Sequence, residues 1–264
     1  MKIALLGSAG AFDFGETSAS FLLEVDDKNI LIDCGHNVLK KLSKKGYMNP
    51  ENNIDYVFIT HLHMDHVADL ESLIYYNYFI LKKKLKIYIP HDIKNDFFNL
   101  FPMSKYSHEY QNGRVKEIDC MYEICSTYEI NTENNVLYLV PFEANHPGIK
   151  AYGYKIKKQV NKYYDGTRFN QSFRVVCIIS GDSKANFELL EIAEKELNVD
   201  DYNSDNPLYI FHDFSNWNDV TRNVHCCSTD FNLVYSELIS GENKERVKIF
   251  KYHNGDNVDL EIEI

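Results

Sequence analysis

The sequence contains no apolar run of membrane-spanning length and no cysteine pair spaced as Cys-x-x-Cys. A membrane helix needs about 20 mostly apolar residues, so we expect no membrane partner. The short apolar start at Met1 runs into glycines, which predicts a strand rather than a signal peptide. Adjacent Cys226 and Cys227 are poorly placed to bond with each other, and the cysteines indicate a reduced, cytoplasmic protein. The six cysteines are at positions 34, 120, 125, 177, 226 and 227.

The chain also lacks an excess of basic charge and the common nucleotide-binding loops. It has 28 Lys and Arg against 39 Asp and Glu, a formal net charge of −11. Long nucleic acids bind basic surfaces, so this balance argues against gripping an RNA body. A small anionic substrate stays possible, because bound divalent metals reverse the local sign. The glycine-rich loop 7–15 has neither Gly-Lys-Ser/Thr nor Gly-x-Gly-x-x-Gly.

Length and pattern predict one large domain over residues 1–264, without linkers or repeats. Strands dominate the first two thirds, and alternating strands and helices follow. This order predicts an α/β (α+β) protein with two mixed sheets packed face to face and helices on the outer faces. Predicted helices cover 37–45, 67–81, 92–101, 185–197 and 229–239. Predicted strands include 2–6, 18–25, 29–33, 55–60, 86–89, 114–118, 121–130, 136–143, 151–159, 173–179, 208–211, 246–252 and 257–264.

The densest cluster of metal-binding side chains is His61-Leu-His63-Met-Asp65-His66, directly after the strand 55–60. Three imidazoles and one carboxylate within six residues favour zinc, with manganese or iron as alternatives. A polar loop that is rich in histidine by chance is the other interpretation.

Further ligand types follow other strands, at His146, Asp182, Asp213 and His253. Strand ends on one edge of a sheet converge, so these positions can form one site with the first cluster. The ligands number seven, with Asp182 able to bridge, which suits two ions better than one tetrahedral ion. They are His61, His63, Asp65, His66, His146, Asp182 and His253.

These motifs, together with Leu6-Gly-Ser-Ala-Gly10 and Ile32-Asp33-Cys-Gly35, resemble the metallo-β-lactamase superfamily over essentially the whole chain. The resemblance implies an αββα sandwich that holds two divalent ions. It places His61, His63 and His146 on one ion, and Asp65, His66 and His253 on the other. Asp182 would bridge the two ions.

Asp213 and His225 resemble a feature of the phosphodiesterase (ribonuclease Z-like) branch. There an acidic residue after a strand orients a histidine that opens a helix, and the histidine protonates the leaving oxygen. A general acid contributes roughly 10²–10⁴ in rate. Asp65 is a ligand that can also accept the proton of the attacking water. The alternative for His225 is a core or helix-capping histidine.

The C-terminal pattern from Asp213 through His225 to His253-Asn-Gly255 resembles compact members of that branch, including anti-Pycsar enzymes of phages and bacteria. The resemblance implies hydrolysis of 3′,5′-cyclic mononucleotides (cCMP, cUMP, cAMP or cGMP type) to linear 5′-monophosphates, which removes an antiphage messenger. It also implies a homodimer in the cytoplasm of a bacterial cell or of a phage-infected host. The helix 67–81 and the loop near Trp217 are candidate subunit contacts.

Other functions remain open at this point. A ribonuclease Z-like endonuclease that processes RNA 3′ ends would use the same residues, but no RNA-gripping arm is evident unless the basic segment 157–174 serves. That segment is otherwise an exposed hairpin tip. A lactone or thioester hydrolase would make Asp213 and His225 bystanders. A non-catalytic metal-binding member of the fold is the remaining alternative.

Overall fold

The computed structural model divides into two compact units. The first comprises Met1–Glu24, Lys28–Thr127 and Asn257–Glu263, and the second Val25–Asp27, Tyr128–Asp256 and Ile264. The predicted single domain over 1–264 stays a prediction. Trp217 and Gly255 lie outside the described residues. These are 1–13, 15–102, 107–111, 114–118, 120–164, 169–199, 202–215, 224–236, 238, 240–253 and 259–264.

The first unit is built on a seven-stranded mixed sheet in the order β15-β1-β2-β3-β4-β5-β8. The pairs β15–β1 and β1–β2 are antiparallel, whereas β3, β4, β5 and β8 run parallel. The carboxyl ends of β3 and β4 therefore lie at one edge, where Asp33 and His61 follow. The strands are β1 Lys2–Gly7, β2 Ser20–Val25, β3 Lys28–Ile32, β4 Tyr56–Phe58, β5 Leu85–Tyr88, β8 Tyr122–Ile124 and β15 Leu260–Glu263.

The helices of this unit are short. They are α1 Val38–Lys44, α2 Met64–Val67, α3 Leu70–Tyr75, a π-helix Tyr76–Ile80, a 3₁₀ turn His91–Ile93 and α4 Lys94–Leu100. A separate two-stranded sheet pairs β6 Ser107–Gln111 with β7 Arg114–Ile118.

The predicted single helix over 67–81 is wrong, because the chain forms three helical segments and the first begins at Met64. The backbone N–H of Asp69 donates to Cys34 O at 2.9 Å, where α2 gives way to α3. Further on, Asn77 Nδ2 donates to Leu73 O at 3.0 Å. That carbonyl is the usual partner of the Asn77 backbone N–H in an α-helix, and competition of this kind accompanies the wider π turn.

The second unit is built on a six-stranded mixed sheet in the order β14-β13-β12-β11-β10-β9. The strands β12, β13 and β14 are parallel, and β11 runs antiparallel to both β10 and β12. The strands β10, β12, β13 and β14 therefore all end at the same edge. The strands are β9 Glu129–Asn131, β10 Val136–Glu143, β11 Tyr152–Tyr164, β12 Phe169–Ile179, β13 Leu208–Asp213 and β14 Val247–Tyr252.

Helices α5 Phe187–Val199 and α6 Ser228–Tyr235, with a 3₁₀ turn at Gly241–Glu245, complete the second unit. Leu189 and Ala193 of α5 and Phe231 of α6 pack in one buried cluster with Leu208 and Ile210 of β13. Burial of these apolar side chains stabilises the unit by roughly 1.5–3 kcal/mol for each large one.

The predicted strand 121–130 is wrong, because the segment forms two strands, β8 and β9, which belong to different sheets. The predicted strands 151–159 and 173–179 are both longer in the structure, as β11 and β12.

The basic segment 157–174 lies largely within β11 and β12, which pair from Tyr154 with Ile179 to Tyr164 with Phe169. The pair Tyr164–Phe169 is therefore about 33 Å from the edge at which β12 ends, at about 3.3 Å per residue. Within this unit, the basic segment extends away from His146 and Asp182.

No helix in the described part of the chain has the length and apolar character that a membrane span requires.

Candidate metal centre

The first ligand set, His61, His63, Asp65 and His66, follows β4 and continues into α2. His61 is fully buried, and its Nε2 lies 3.0 Å from Nδ1 of His63. Two nitrogens on a tetrahedral zinc, each about 2.05 Å from the ion, are about 3.3 Å apart. The two rings thus converge as ligands of one ion do, so this donor pair fits a divalent metal.

Asp33 orients two of these imidazoles from behind. Its Oδ2 accepts hydrogen bonds from Thr60 Oγ1 at 2.6 Å and from His66 Nδ1 at 2.7 Å. The Thr60 hydroxyl also lies 3.0 Å from His61 Nδ1. Because that hydroxyl donates to Asp33, it accepts from His61 Nδ1–H. Both rings are therefore held with Nε2 as the ligand atom, the usual arrangement around metal-binding histidines.

Gly35 permits the close approach of the Ile32–Gly35 segment to the ligand loop. A Cβ at this position would meet Asp65 O at 1.6 Å, so any larger residue would displace the backbone of Asp65. The Cys34 N–H donates to His66 O at 2.8 Å from the same side. Asp33 itself has φ of 62°, in the left-handed region. The segment Ile32–Gly35 thus packs directly against the backbone of Asp65 and His66 and helps to fix its conformation.

The second ligand set, His146, Asp182 and His253, lies in the second unit, just beyond the ends of β10, β12 and β14. His146 Nδ1 donates to Pro147 O at 3.1 Å, which leaves Nε2 as the ligand atom. Burial lowers the pKa of His146, so the neutral form that binds metal is favoured. His253, with φ of 68°, brings Nε2 to 3.7 Å from Asp182 Oδ2.

The turn before Asp182 requires glycine. Gly181 has φ of +65°, and a Cβ there would meet Tyr152 O at 2.2 Å. Neighbouring loops are cross-linked, since Ser183 Oγ accepts a hydrogen bond from the Asn145 N–H at 3.0 Å. These contacts fix the Asp182 loop against the loop that carries His146.

Asp213 and His225 form a close pair in the same unit. His225 Nδ1 lies 2.7 Å from Asp213 Oδ2, which also accepts the Ser183 N–H at 2.8 Å. Asp213 is fully buried, and the His225 side chain is 12% exposed. The rings of His225 and His253 are 4.6 Å apart between centroids. With Nδ1–H held by the carboxylate, Nε2 is the atom of His225 that can transfer a proton.

Charge in the second unit also fits a metal. Asp182 and Asp213 are 1% and 0% exposed. Ligand atoms of Asp182, Asp213, His225 and His253 all lie within 4.8 Å of one another. Two buried carboxylates at such a distance are costly unless cations compensate their charge. A divalent ion would supply the positive charge that these carboxylates need. Asp213 Oδ2 already accepts hydrogen bonds from Ser183 and His225, which favours an orienting role for that carboxylate.

Sequence reasoning assigned no role to three orienting residues, Asp33, Thr60 and Ser183. Asp33 could have been found, because it directly follows β3 beside the strand that leads to His61. Ser183 acts through its backbone N–H, for which the sequence carries no signal. The thiols of Cys34 and Cys226 are unsuited to nucleophilic attack, because burial raises the pKa of both, that of Cys226 to about 12.

Comparison with known proteins identifies the family. The family model described as anti-Pycsar protein Apyc1 matches residues 1–262. The chain belongs to the anti-Pycsar Apyc1 family. The Apyc1 protein of Bacillus phage vB_BsuM-Goe3 is 26% identical over 271 residues, which cover 98% of this chain and 90% of the phage protein.

Other relatives agree with the fold and with a metal-dependent hydrolase. The probable metallo-hydrolase YhfI of Bacillus subtilis is 38% identical over 74 residues, 28% of this chain and 29% of that protein. Its crystal structure superposes with a TM-score of 0.61 and 20% identity, covering 96% of this chain and 86% of YhfI. The crystal structure of human tRNase Z, short form, superposes with a TM-score of 0.60 and 15% identity, covering 100% of this chain and 99% of tRNase Z. The predicted metallo-β-lactamase fold is confirmed, and this Apyc1-family chain is a metal-dependent hydrolase.

Proposed function

We propose that this chain is a two-metal phosphodiesterase that hydrolyses 3′,5′-cyclic mononucleotides to linear 5′-monophosphates, and so removes a messenger of antiphage defence. Membership of the anti-Pycsar family supports this substrate class. The observation that carries the reaction type is the Asp213–His225 pair at 2.7 Å. A phosphodiester with an alkoxide leaving group needs such a proton donor, whereas a thioester expels a thiolate, which leaves without one.

The proposal assigns the ligands as the resemblance implies. His61, His63 and His146 would hold one divalent ion, Asp65, His66 and His253 would hold the other, and Asp182 would be shared between the two. Zinc is our first choice, since imidazole and carboxylate suit it, and manganese or iron fits the same donors. When bound, the ions lower the pKa of a water and neutralise charge on the phosphoryl oxygens.

The side chains supply the proton transfers. A water oxygen forms a bond to phosphorus as the bond from phosphorus to the 3′ oxygen breaks. The Asp65 carboxylate accepts a proton of that water. Asp213 Oδ2 holds Nδ1–H of His225, so Nε2–H of the imidazole faces outward and protonates the leaving 3′ oxygen. The product is a 5′-monophosphate with a free 3′ hydroxyl.

The general-acid role is tested by replacing His225. We expect His225→Ala to keep its metal and to lose about 10²–10⁴ in turnover of a cyclic nucleotide. A nitrophenyl phosphodiester has a leaving group that needs no proton, so its hydrolysis should fall far less. His91→Ala is the control, because the His91 side chain is 96% exposed. Equal losses on both substrates would contradict the role of His225.

The substrate is tested with one panel on protein of known metal content. The panel contains the four cyclic mononucleotides, the nitrophenyl diester, a precursor transfer RNA, a lactone and a thioester. Cleavage of the diester without turnover of any cyclic nucleotide would exclude our substrate. Cleavage of the precursor RNA alone would favour the ribonuclease Z-like alternative. Metal binding without turnover of any substrate would favour a non-catalytic member of the fold.

A further inference from the structure

A buried histidine next to Asp213 has no part in the proposed reaction. His212 is 0% exposed on β13, immediately before Asp213. Adjacent side chains of a strand point to opposite faces, so His212 points away from the Asp213–His225 pair. It lies against α6, with ring centroids 5.8 Å from Phe231 and 4.9 Å from Tyr235. A polar ring in this apolar surrounding needs partners for both nitrogens.

The two partners define the tautomer of His212. Nδ1 lies 2.7 Å from the carbonyl oxygen of Asp213, and Nε2 lies 2.8 Å from the hydroxyl of Tyr235. A carbonyl oxygen only accepts, so Nδ1 carries the proton. Nε2 of the neutral ring is then a bare acceptor, and the Tyr235 hydroxyl donates to it. The opposite tautomer would place two lone pairs 2.7 Å apart.

The Tyr235 hydroxyl extends this contact to a second helix. It accepts the backbone N–H of Asn186 at 3.0 Å. The Asn186 carbonyl oxygen also lies 3.1 Å from the hydroxyl. The one hydroxyl proton is donated to His212 Nε2, because the Nδ1–H tautomer leaves that nitrogen without a proton. Asn186 directly precedes α5, and its Oδ1 accepts the Glu188 N–H at 2.9 Å, as an N-cap residue does. The three residues His212, Tyr235 and Asn186 form a buried polar chain, here called the clamp, that ties β13 to α6 and to the start of α5.

The clamp connects β13, which carries Asp213, to α6, the helix that follows His225. Asp213 ends β13, and α6 begins at Ser228, three residues after His225. Between them, the Ser215 N–H donates to Cys226 O at 2.9 Å. We propose that His212 and Tyr235 are positioning residues that hold His225 against Asp213 by fixing α6 on β13. This inference rests on the proposed function, because it concerns the general acid of that reaction.

Removal of the Tyr235 hydroxyl is the central experiment. In Tyr235→Phe, we expect turnover of a cyclic nucleotide to fall about 10-fold or more, because a small displacement of a catalytic group costs up to about 10²-fold. Hydrolysis of the nitrophenyl diester should stay within about twofold, since it does not use the acid. A merely structural role would lower both rates equally.

Tyr202→Phe is the matched control. The Tyr202 hydroxyl donates to Val175 O at 2.6 Å, and Tyr202 lies in the same buried cluster as Tyr235. This hydrogen bond joins Tyr202 to β12 rather than to β13 or α6, so its loss should lower thermal stability without changing the ratio of the two rates. If Tyr202→Phe changed that ratio as much as Tyr235→Phe, the proposal would be overturned.

A second variant covers the case in which Tyr235→Phe folds poorly. His212→Asn keeps a donor for the Asp213 carbonyl but removes the acceptor of the Tyr235 hydroxyl. We expect a selective loss of the same kind. A double variant should be no worse than Tyr235→Phe alone, because Tyr235→Phe already removes the contact with His212 together with that to Asn186. Additive losses would overturn the proposal.

The outcome separates this inference from the proposed function. A selective effect of His225→Ala with no selective effect of Tyr235→Phe or His212→Asn overturns the clamp and leaves the general acid intact. No selective effect of His225→Ala overturns the general acid and the clamp together. An NMR signal of the His225 Nδ1 proton gives a readout besides activity. It should exchange faster with water in Tyr235→Phe than in Tyr202→Phe.

Discussion

A single carboxylate outside the ligand set orients two ligands in the first unit. Asp33 Oδ2 accepts from both Thr60 and His66, and the Thr60 hydroxyl passes this orientation on to His61. Because Asp33 is only 4% exposed, its charge is poorly solvated and depends on these donors. Burial accordingly raises the pKa of Asp33, while His66 and Thr60 lower it again. Asp33 is thus a positioning residue for the candidate ligands His61 and His66.

We predict that Asp33→Asn lowers metal affinity about 10–100-fold, the usual effect of removing a partner of a metal-binding histidine. The carboxylate uses both oxygens, because Oδ1 accepts the Thr60 backbone N–H at 2.8 Å and Oδ2 accepts from the Thr60 hydroxyl and His66. The amide keeps only one acceptor oxygen, so its NH2 group must face one of these donors. Competition with a chromophoric chelator measures the affinity.

Variants of Thr60 provide the control for this prediction. Thr60→Ser keeps the hydroxyl and should bind metal with native affinity. Thr60→Val removes the hydroxyl and should bind metal more weakly. Native affinity in Asp33→Asn would show that His66 needs no orienting carboxylate.

At the scale of elements, two strands were predicted correctly at both ends, whereas the helix 67–81 was not. The strands 136–143 and 114–118 were predicted with the bounds that the structure has. Alternating apolar residues and turns mark such ends locally. The breaks in the helix after Met64 depend on Cys34 O and on the buried Asn77, which are tertiary features. The clamp likewise depends on three residues that no local pattern joins.

We predict that His212 makes the free energy of unfolding depend on pH. Burial lowers the pKa of His212 in the folded protein, whereas in the unfolded chain the ring titrates near its ordinary value of about 6.5. Below that pH, the unfolded chain binds a proton that the folded protein does not. The free energy of unfolding therefore falls with falling pH, by up to about 1.4 kcal/mol per pH unit for this one group.

Denaturant unfolding of metal-free protein at about pH 7 and about pH 5.5 tests this prediction. The native protein should lose more stability on acidification than His212→Asn, which has no titrating ring at this position. Other histidines, including His146, contribute equally to both proteins. Identical pH dependence in the two proteins would show that His212 becomes protonated without cost.

At the scale of the whole molecule, an acidic chain carries ligand sets for cations in each of its two units. The formal net charge is −11, and both sets include buried carboxylates. Divalent ions relieve repulsion among these groups, so they should stabilise the folded protein. Zinc as the native metal, a homodimer and a cytoplasmic location stay predictions.

We predict that chelator-treated protein takes up two equivalents of divalent metal per chain. The free energy of unfolding should rise with uptake, by about 2.7 kcal/mol for each site when the free metal concentration is 100 times Kd. His63→Ala and Asp182→Ala should bind less than two equivalents, and His225→Ala should still bind two. Metal analysis after desalting gives these numbers. One equivalent in the native protein would contradict the assignment of the seven ligands to two ions.

The sequence by itself determined which residues are candidate ligands and which fold carries them, because ligand spacing and strand-end positions are local properties of the chain. His61-x-His63-x-Asp65-His66 and the strand before it were legible in this way. Only the tertiary structure decided which partners orient those ligands. Asp33 approaches His66 across 33 residues, and Tyr235 approaches His212 across 23. Contacts over such distances arise when parallel strands and packed helices bring their ends together, and no local pattern specifies them.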